Sequence, residues 1–145
     1  RKRPIMIHRV IYGSIERFLG ILVEHFAGRL PLWMAPGQGI LLPMNDDLAA
    51  YAEEVRVRFD VAGLRIEVDR RTESLNRKVR EAQLNQIPLT LTIGPKEKEG
   101  GTLAVRTLDG KVVYGVSQER FIDAVRDNVQ RRALDFEGFG AEGCP

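Results

Sequence analysis

The sequence predicts an α/β fold: a five-stranded mixed β-sheet flanked by three helices, preceded by a separate strand–helix piece. Three observations carry this reading. Short apolar runs at residues 39–42, 64–68 and 89–94 are separated by stretches of helical period, which argues for parallel βαβ units. Asp109-Gly110 then joins two further strand-like runs in a hairpin. Two prolines and a loss of period at residues 30–37 divide all of this from what precedes it.

In chain order, residues 3–11 read as a largely buried strand, with Pro4 tolerated at its start. Ser14 is a good N-cap, and Ile15, Phe18, Leu19, Leu22 and Phe26 recur at helical spacing until Gly28 ends the helix as its C′ residue. After the boundary comes a short strand at 39–42. Asn45 caps a helix whose apolar stripe is Leu48, Tyr51, Ala52, Val55, Phe59 and Ala62, closed by Gly63. Residues 64–68 alternate as a strand, residues 74–85 form the next helix, and 89–94 form the third strand. Residues 95–101, with Pro95, Lys96, Glu97, Lys98 and two glycines, read as a loop. The hairpin pairs 102–108 with 111–116. Ser117 caps a last helix carrying Phe121, Ile122, Val125 and Val129. The domains expected are therefore 1–34, 35–135 and a flexible tail, 136–145.

Composition narrows the function classes. At 145 residues, 43% hydrophobic and 29% charged, the chain is neither a disordered nor a disulfide-framework sequence. Its one cysteine, Cys144, excludes a cysteine zinc cage. The apolar runs are too short to span a membrane, and a reducing, cytoplasmic setting is expected. Residues 1–40 carry six Lys/Arg against two Glu, whereas the rest carries sixteen against eighteen acids. Within that acidic part, residues 65–80 hold six basic groups against three acids. Such a stretch can face phosphates, although such a run is more often only a solvated helix face.

One position stands out chemically. Arg17 lies in the first turn of its helix, where the macrodipole disfavours a cation, and Gly13 and Ser14 precede it. Free amides at a helix start bind anions, so Gly13, Ser14 and Arg17 form a candidate phosphate site. An arginine that reaches solvent, or pairs with Glu16 or Glu24, fits the same residues. His8 alone is a weak signal, because zinc needs about three protein ligands.

Arg3-Pro4-Ile5-Met6-Ile7-His8-Arg9, Gly13-Ser14-Ile15-Glu16-Arg17-Phe18, Glu24-His25 and Pro31-Leu32-Trp33-Met34-Ala35-Pro36 together resemble motif 3 and the following linker of threonyl-tRNA synthetase. The remainder resembles that family's C-terminal anticodon-binding domain, through the run 63–69, Lys78-Val79-Arg80-Glu81-Ala82, Ile87-Pro88, Lys96-Glu97 and Ala104-Val105-Arg106. The resemblance covers residues 3–133 and implies a C-terminal fragment of such an enzyme. It implies that His8 is one of three zinc ligands, that Arg17 binds ATP phosphate beside Gly13, and that Ser14 lines the adenylate pocket. It implies anticodon contacts for Glu97, Arg106 and Thr72, the last standing where the family commonly has Asn. Arg70, Lys78 and Arg80 would add attraction to the tRNA backbone. ATP and zinc belong to the full-length enzyme, with neither held tightly by the fragment. The partners implied are tRNA(Thr), with threonine and ATP for a homodimeric parent, and neither DNA nor membrane. The fragment is expected to bind tRNA without catalysing. A reused binding module of an accessory protein is the alternative, and it leaves His8, Ser14 and Arg17 at their spacing without a reason.

Overall fold

The computed structural model describes residues 3–136 and 139. Five strands form one sheet in the order β2-β1-β3-β4-β5: β1 (Gly39–Pro43), β2 (Ile66–Val68), β3 (Leu89–Ile93), β4 (Thr102–Thr107) and β5 (Val112–Ser117). β1 pairs in parallel with β2 and β3, while β3–β4 and β4–β5 are antiparallel. The helices are α1 (Ile15–His25), α2 (Ala49–Val61), α3 (Leu75–Leu84), α4 (Pro95–Gly100) and α5 (Gln118–Arg131). The mixed five-stranded sheet read from the sequence is the one observed.

Side-chain parity separates the two faces of the sheet. Leu41, Leu89, Leu91, Ile93, Leu103, Val105 and Val116 join one core with Ala52, Val55 and Phe59 of α2 and Phe121 and Val125 of α5. The Phe59 and Phe121 rings meet with centroids 5.2 Å apart. The expected stripe of α2 is thus the buried one, although Asn45 starts a single 3-10 turn (Asp46–Leu48) before the α-helix proper. Burial of each such large side chain stabilises by roughly 1.5–3 kcal/mol. Leu32 also packs into this core. Gln38 ties the chain down there: its Nε2 donates to Leu32 O at 3.1 Å and its Oε1 accepts from the Arg65 amide at 3.0 Å. The Arg65 guanidinium in turn donates to Ala35 O and Pro36 O.

Four expectations need correction. Residues 3–10 form no strand, and Ile5 and Ile7 are 90% and 86% exposed. A strand needs a neighbour for its backbone donors and acceptors, and no strand of the described sheet supplies one. Gly28 is one residue further out than expected: the Ala27 amide bonds to Glu24 O and the Gly28 amide to Val23 O, so Ala27, at φ 48°, occupies C′ and Gly28 follows it. The loop at 95–101 contains a short helix, α4, started by Pro95 and ended by Gly101 in the left-handed region. Phe136 and Phe139, assigned to a flexible tail, pack on the core, with the Phe139 ring stacked on Phe121; residues 137, 138 and 140–145 lie outside the described residues.

Candidate nucleic-acid interface

The second face of the sheet carries the candidate site. Thr92 on β3, Ala104 and Arg106 on β4, and Val112 and Tyr114 on β5 form a floor that α3 flanks with Leu75, Asn76 and Val79. Met44, just beyond β1, and Glu97, on α4, complete an open groove of about 450 Å³. In an open α/β sheet, the crevice beyond the C-terminal strand ends is where ligands bind. From the sequence, Glu97 just after the third strand and Arg106 on the next one are expected to converge on one exposed edge of the sheet, and the structure brings both to this groove. The surface they share is a face of the sheet that spans the interior strands β3 and β4 and reaches the edge strand β5.

Each wall has a local cause. Glu97 is the third residue of α4, and its Oε2 accepts from the Gly94 amide at 3.0 Å, one half of a capping box. That bond ties the carboxylate to the end of β3 at the groove rim. Arg106 follows from the alternation Leu103, Val105 into the core and Ala104, Arg106 away from it. On β5 the ladder shifts: Leu103 faces Val116, yet Val105 faces Val113. The extra residue is taken up by Gly115 at φ 69°, and the bulge leaves Tyr114 70% exposed in the groove. Sequence reasoning missed Tyr114, Met44 and Asn76. An Asp109-Gly110 hairpin turn with Tyr114-Gly115 after three intervening residues was the available signal for the first, and nothing in the sequence marked the other two.

Thr72 lies next door rather than with Glu97 and Arg106. It lines a second groove of about 480 Å³ with Pro43, Met44, Asn45, Asp46, Asp47, Glu73 and Lys78, so Met44 is common to both grooves. The loop bearing Thr72 is held by a network of charges. Arg71 Nη2 donates to Asp69 Oδ2 at 2.7 Å, the Arg71 amide donates to Asp69 Oδ1 at 3.0 Å, and Arg71 also pairs with Glu81. Arg77 bridges Glu73 and Glu81. The Arg71 guanidinium holds the Asp69 carboxyl below its usual value against the opposing effect of burial, and it lowers that of Glu81 in the same way.

The expected backbone contacts differ among themselves. Arg80 is exposed. Arg70 donates to Glu53 at 2.9 Å, which is lowered by that contact and by Arg56. Lys78 is only 5% exposed, with its Nζ 3.4 Å from Asp69 O. At the other end of the chain, Ser14 Oγ accepts from the Arg17 amide at 3.4 Å and donates to Glu16 Oε2 at 2.6 Å. That second bond keeps the Glu16 carboxyl below its ordinary value. Gly13 adopts φ 69°, and His8 is exposed. Among the described residues no three His, Cys, Asp or Glu side chains are grouped to hold a metal, so His8 does not make a zinc site with them. Among the described residues no helix is long and apolar enough to cross a membrane.

Relatives carry the same stamp as the fold. The chain is 60% identical over 139 residues to a threonine–tRNA ligase of Desulfatibacillum aliphaticivorans, covering 96% of this chain and 22% of that protein. It is 62% identical over 135 residues to the corresponding ligase of Desulforapulum autotrophicum, covering 93% and 21%. The chain therefore spans about a fifth of the length of the curated relatives it matches. In structure it is similar to the RNA-binding domain of threonyl-tRNA synthetase from Cryptosporidium parvum Iowa II, with a TM-score of 0.73 and 26% identity over 86% of this chain and 30% of that one. The resemblance read from motif 3 and the C-terminal runs is thus met by proteins of that name. A family model for the anticodon binding domain matches residues 38–128, from the start of the sheet into α5, and the chain belongs to that family.

Proposed function

We propose that this chain is the anticodon-recognition part of a threonyl-tRNA synthetase, an enzyme that ligates threonine to tRNA(Thr) with ATP. The observation that carries the reading is the groove in which a carboxylate, Glu97, and a guanidinium, Arg106, face one space between α3 and the sheet. RNA loops are read through splayed bases whose edges meet side chains. A carboxylate accepts from the N1 and N2 donors of guanine, while an arginine fork donates to base oxygens. Thr72, in the adjoining groove, offers a hydroxyl that donates and accepts, a smaller reach than the amide it replaces in the family pattern.

In this reading the exposed start of α1 belongs to the catalytic half of the parent enzyme. Arg17, with Gly13 and Ser14, would meet ATP phosphate there, and His8 would supply one zinc ligand beside others from elsewhere in a cytoplasmic, homodimeric parent. The chain itself would bind tRNA, not DNA or membrane. Replacing Arg106 by Ala in the parent enzyme is expected to raise KM for tRNA roughly ten- to hundred-fold, the scale of one lost charge-assisted hydrogen bond. Adenylate formation should stay unchanged. An R106A enzyme with an unchanged KM for tRNA, or one whose loss lies in threonine activation instead, would overturn the assignment.

A further inference from the structure

We infer that Gly94 is a positioning residue for base recognition, its missing side chain being what places the Glu97 carboxylate; the inference rests on the anticodon reading above. A Cβ at Gly94 would lie 2.6 Å from Glu97 Oε2 and 2.8 Å from Met44 Sδ, both far below contact distance. Gly94 itself has φ −109° and ψ −179°, a backbone that any residue adopts. The glycine is therefore not there for its conformational freedom. It is there because a carboxylate and a thioether occupy the space a side chain would fill.

Both crowding atoms are ends of flexible side chains, so an added methyl displaces them and leaves β3 and α4 in place. The Gly94 amide then loses its acceptor at 3.0 Å, and Glu97 loses the bond that fixes it on the groove rim. Oε2 is engaged by the backbone, which orients the plane of the carboxylate. Oε1 and the remaining lone pair of Oε2 are left to accept from a base. Met44, 49% exposed and common to both grooves, closes over the same point. A carboxylate held this way discriminates guanine from a base lacking the N2 amine, because its second acceptor is already aimed.

The test uses the full 145-residue chain and anticodon stem-loop RNAs bearing guanine or inosine at the second anticodon position, with affinity read by fluorescence anisotropy. The wild-type chain is expected to prefer guanine roughly tenfold. G94A should lose that preference while its thermal midpoint stays within a few degrees. Adding Glu97→Gln to G94A should then cost little more, since both changes remove one device. A wild-type chain with no guanine preference would overturn the reading of Glu97 itself. A G94A chain that keeps the wild-type preference, or whose residue-94 amide exchanges as slowly as in wild type, would overturn the positioning role alone. Should G94A not fold, Met44→Ala in the same background removes one of the two crowding groups and provides the folded variant for the same comparison.

Discussion

The Asp69 side chain is 3% exposed and stays ionised because three N–H groups of Arg71, one backbone and two guanidinium, point at it. Its carboxyl is held below the ordinary 3.8. As pH falls, the unfolded carboxyl protonates first and the folded one only at lower pH, so the stabilisation is complete above about pH 4 and is lost as pH drops through the depressed folded value. Asp69→Asn should therefore cost about 2 kcal/mol at neutral pH and flatten the acid limb of the stability curve. Urea melts of both chains between pH 2 and 7 would check it; parallel curves would remove Asp69 from the acid transition. Glu81, lowered by the same guanidinium, is a second partner of Arg71, and Glu81→Gln is expected to loosen the 69–74 loop with a smaller loss, because its pair with Arg71 is solvent-exposed.

Among the helices of ten residues or more, α1 is set apart by having no buried residue, although it is capped at both ends. Caps contribute about 1 kcal/mol, too little to hold an eleven-residue helix without a packed face. Amide exchange across Ile15–His25 should thus run orders of magnitude faster than across α2, and the exposed Ile15, Leu19, Ile21 and Val23 should make sedimentation concentration-dependent. Equal protection of the two helices in a monomer would refute this. The same contrast explains what was legible in the sequence. Ser14 and Ser117 marked two helix starts because a capping hydroxyl acts locally, and the Leu48–Phe59 period marked the core face of α2 because apolar spacing and burial agree there. The run at 3–11 was read as a strand from apolar content, a property that speaks of burial but not of a partner. Pro95 to Gly100 was read as a loop because a single turn has no period to detect, although its Pro and the following Gly were both in place. For the site, Glu97 and Arg106 were found from residue type and resemblance. Met44 and Tyr114 were not, since a groove wall depends on how β1, β3 and a bulged β5 lie together.

At the scale of the whole molecule, charge placement bears on how RNA would be held. The net charge is only +2, and much of the basic run at 65–80 is already matched internally. Arg70 is paired with Glu53, Arg71 with Asp69 and Glu81, and Arg77 with Glu73 and Glu81, while Lys78 is buried. Asp46, Asp47 and Glu73 border the Thr72 groove, so a phosphate approaching there meets carboxylates. A surface arranged this way attracts a backbone weakly and recognises base edges, whose amino and imino donors suit exposed carboxylates. Counterion release then predicts a shallow salt dependence. Single-stranded RNA loses about 0.7 in the slope of log K against log salt for each phosphate neutralised. With Arg80 and one further cation in contact, the slope for an anticodon stem-loop should lie near −1.4. Arg80→Ala should reduce it by about 0.7 and weaken guanine and inosine loops equally, unlike G94A, which acts on the base. A measured slope steeper than about −4 would require roughly six phosphate contacts and would contradict a base-reading surface whose arginines are held by their own carboxylates.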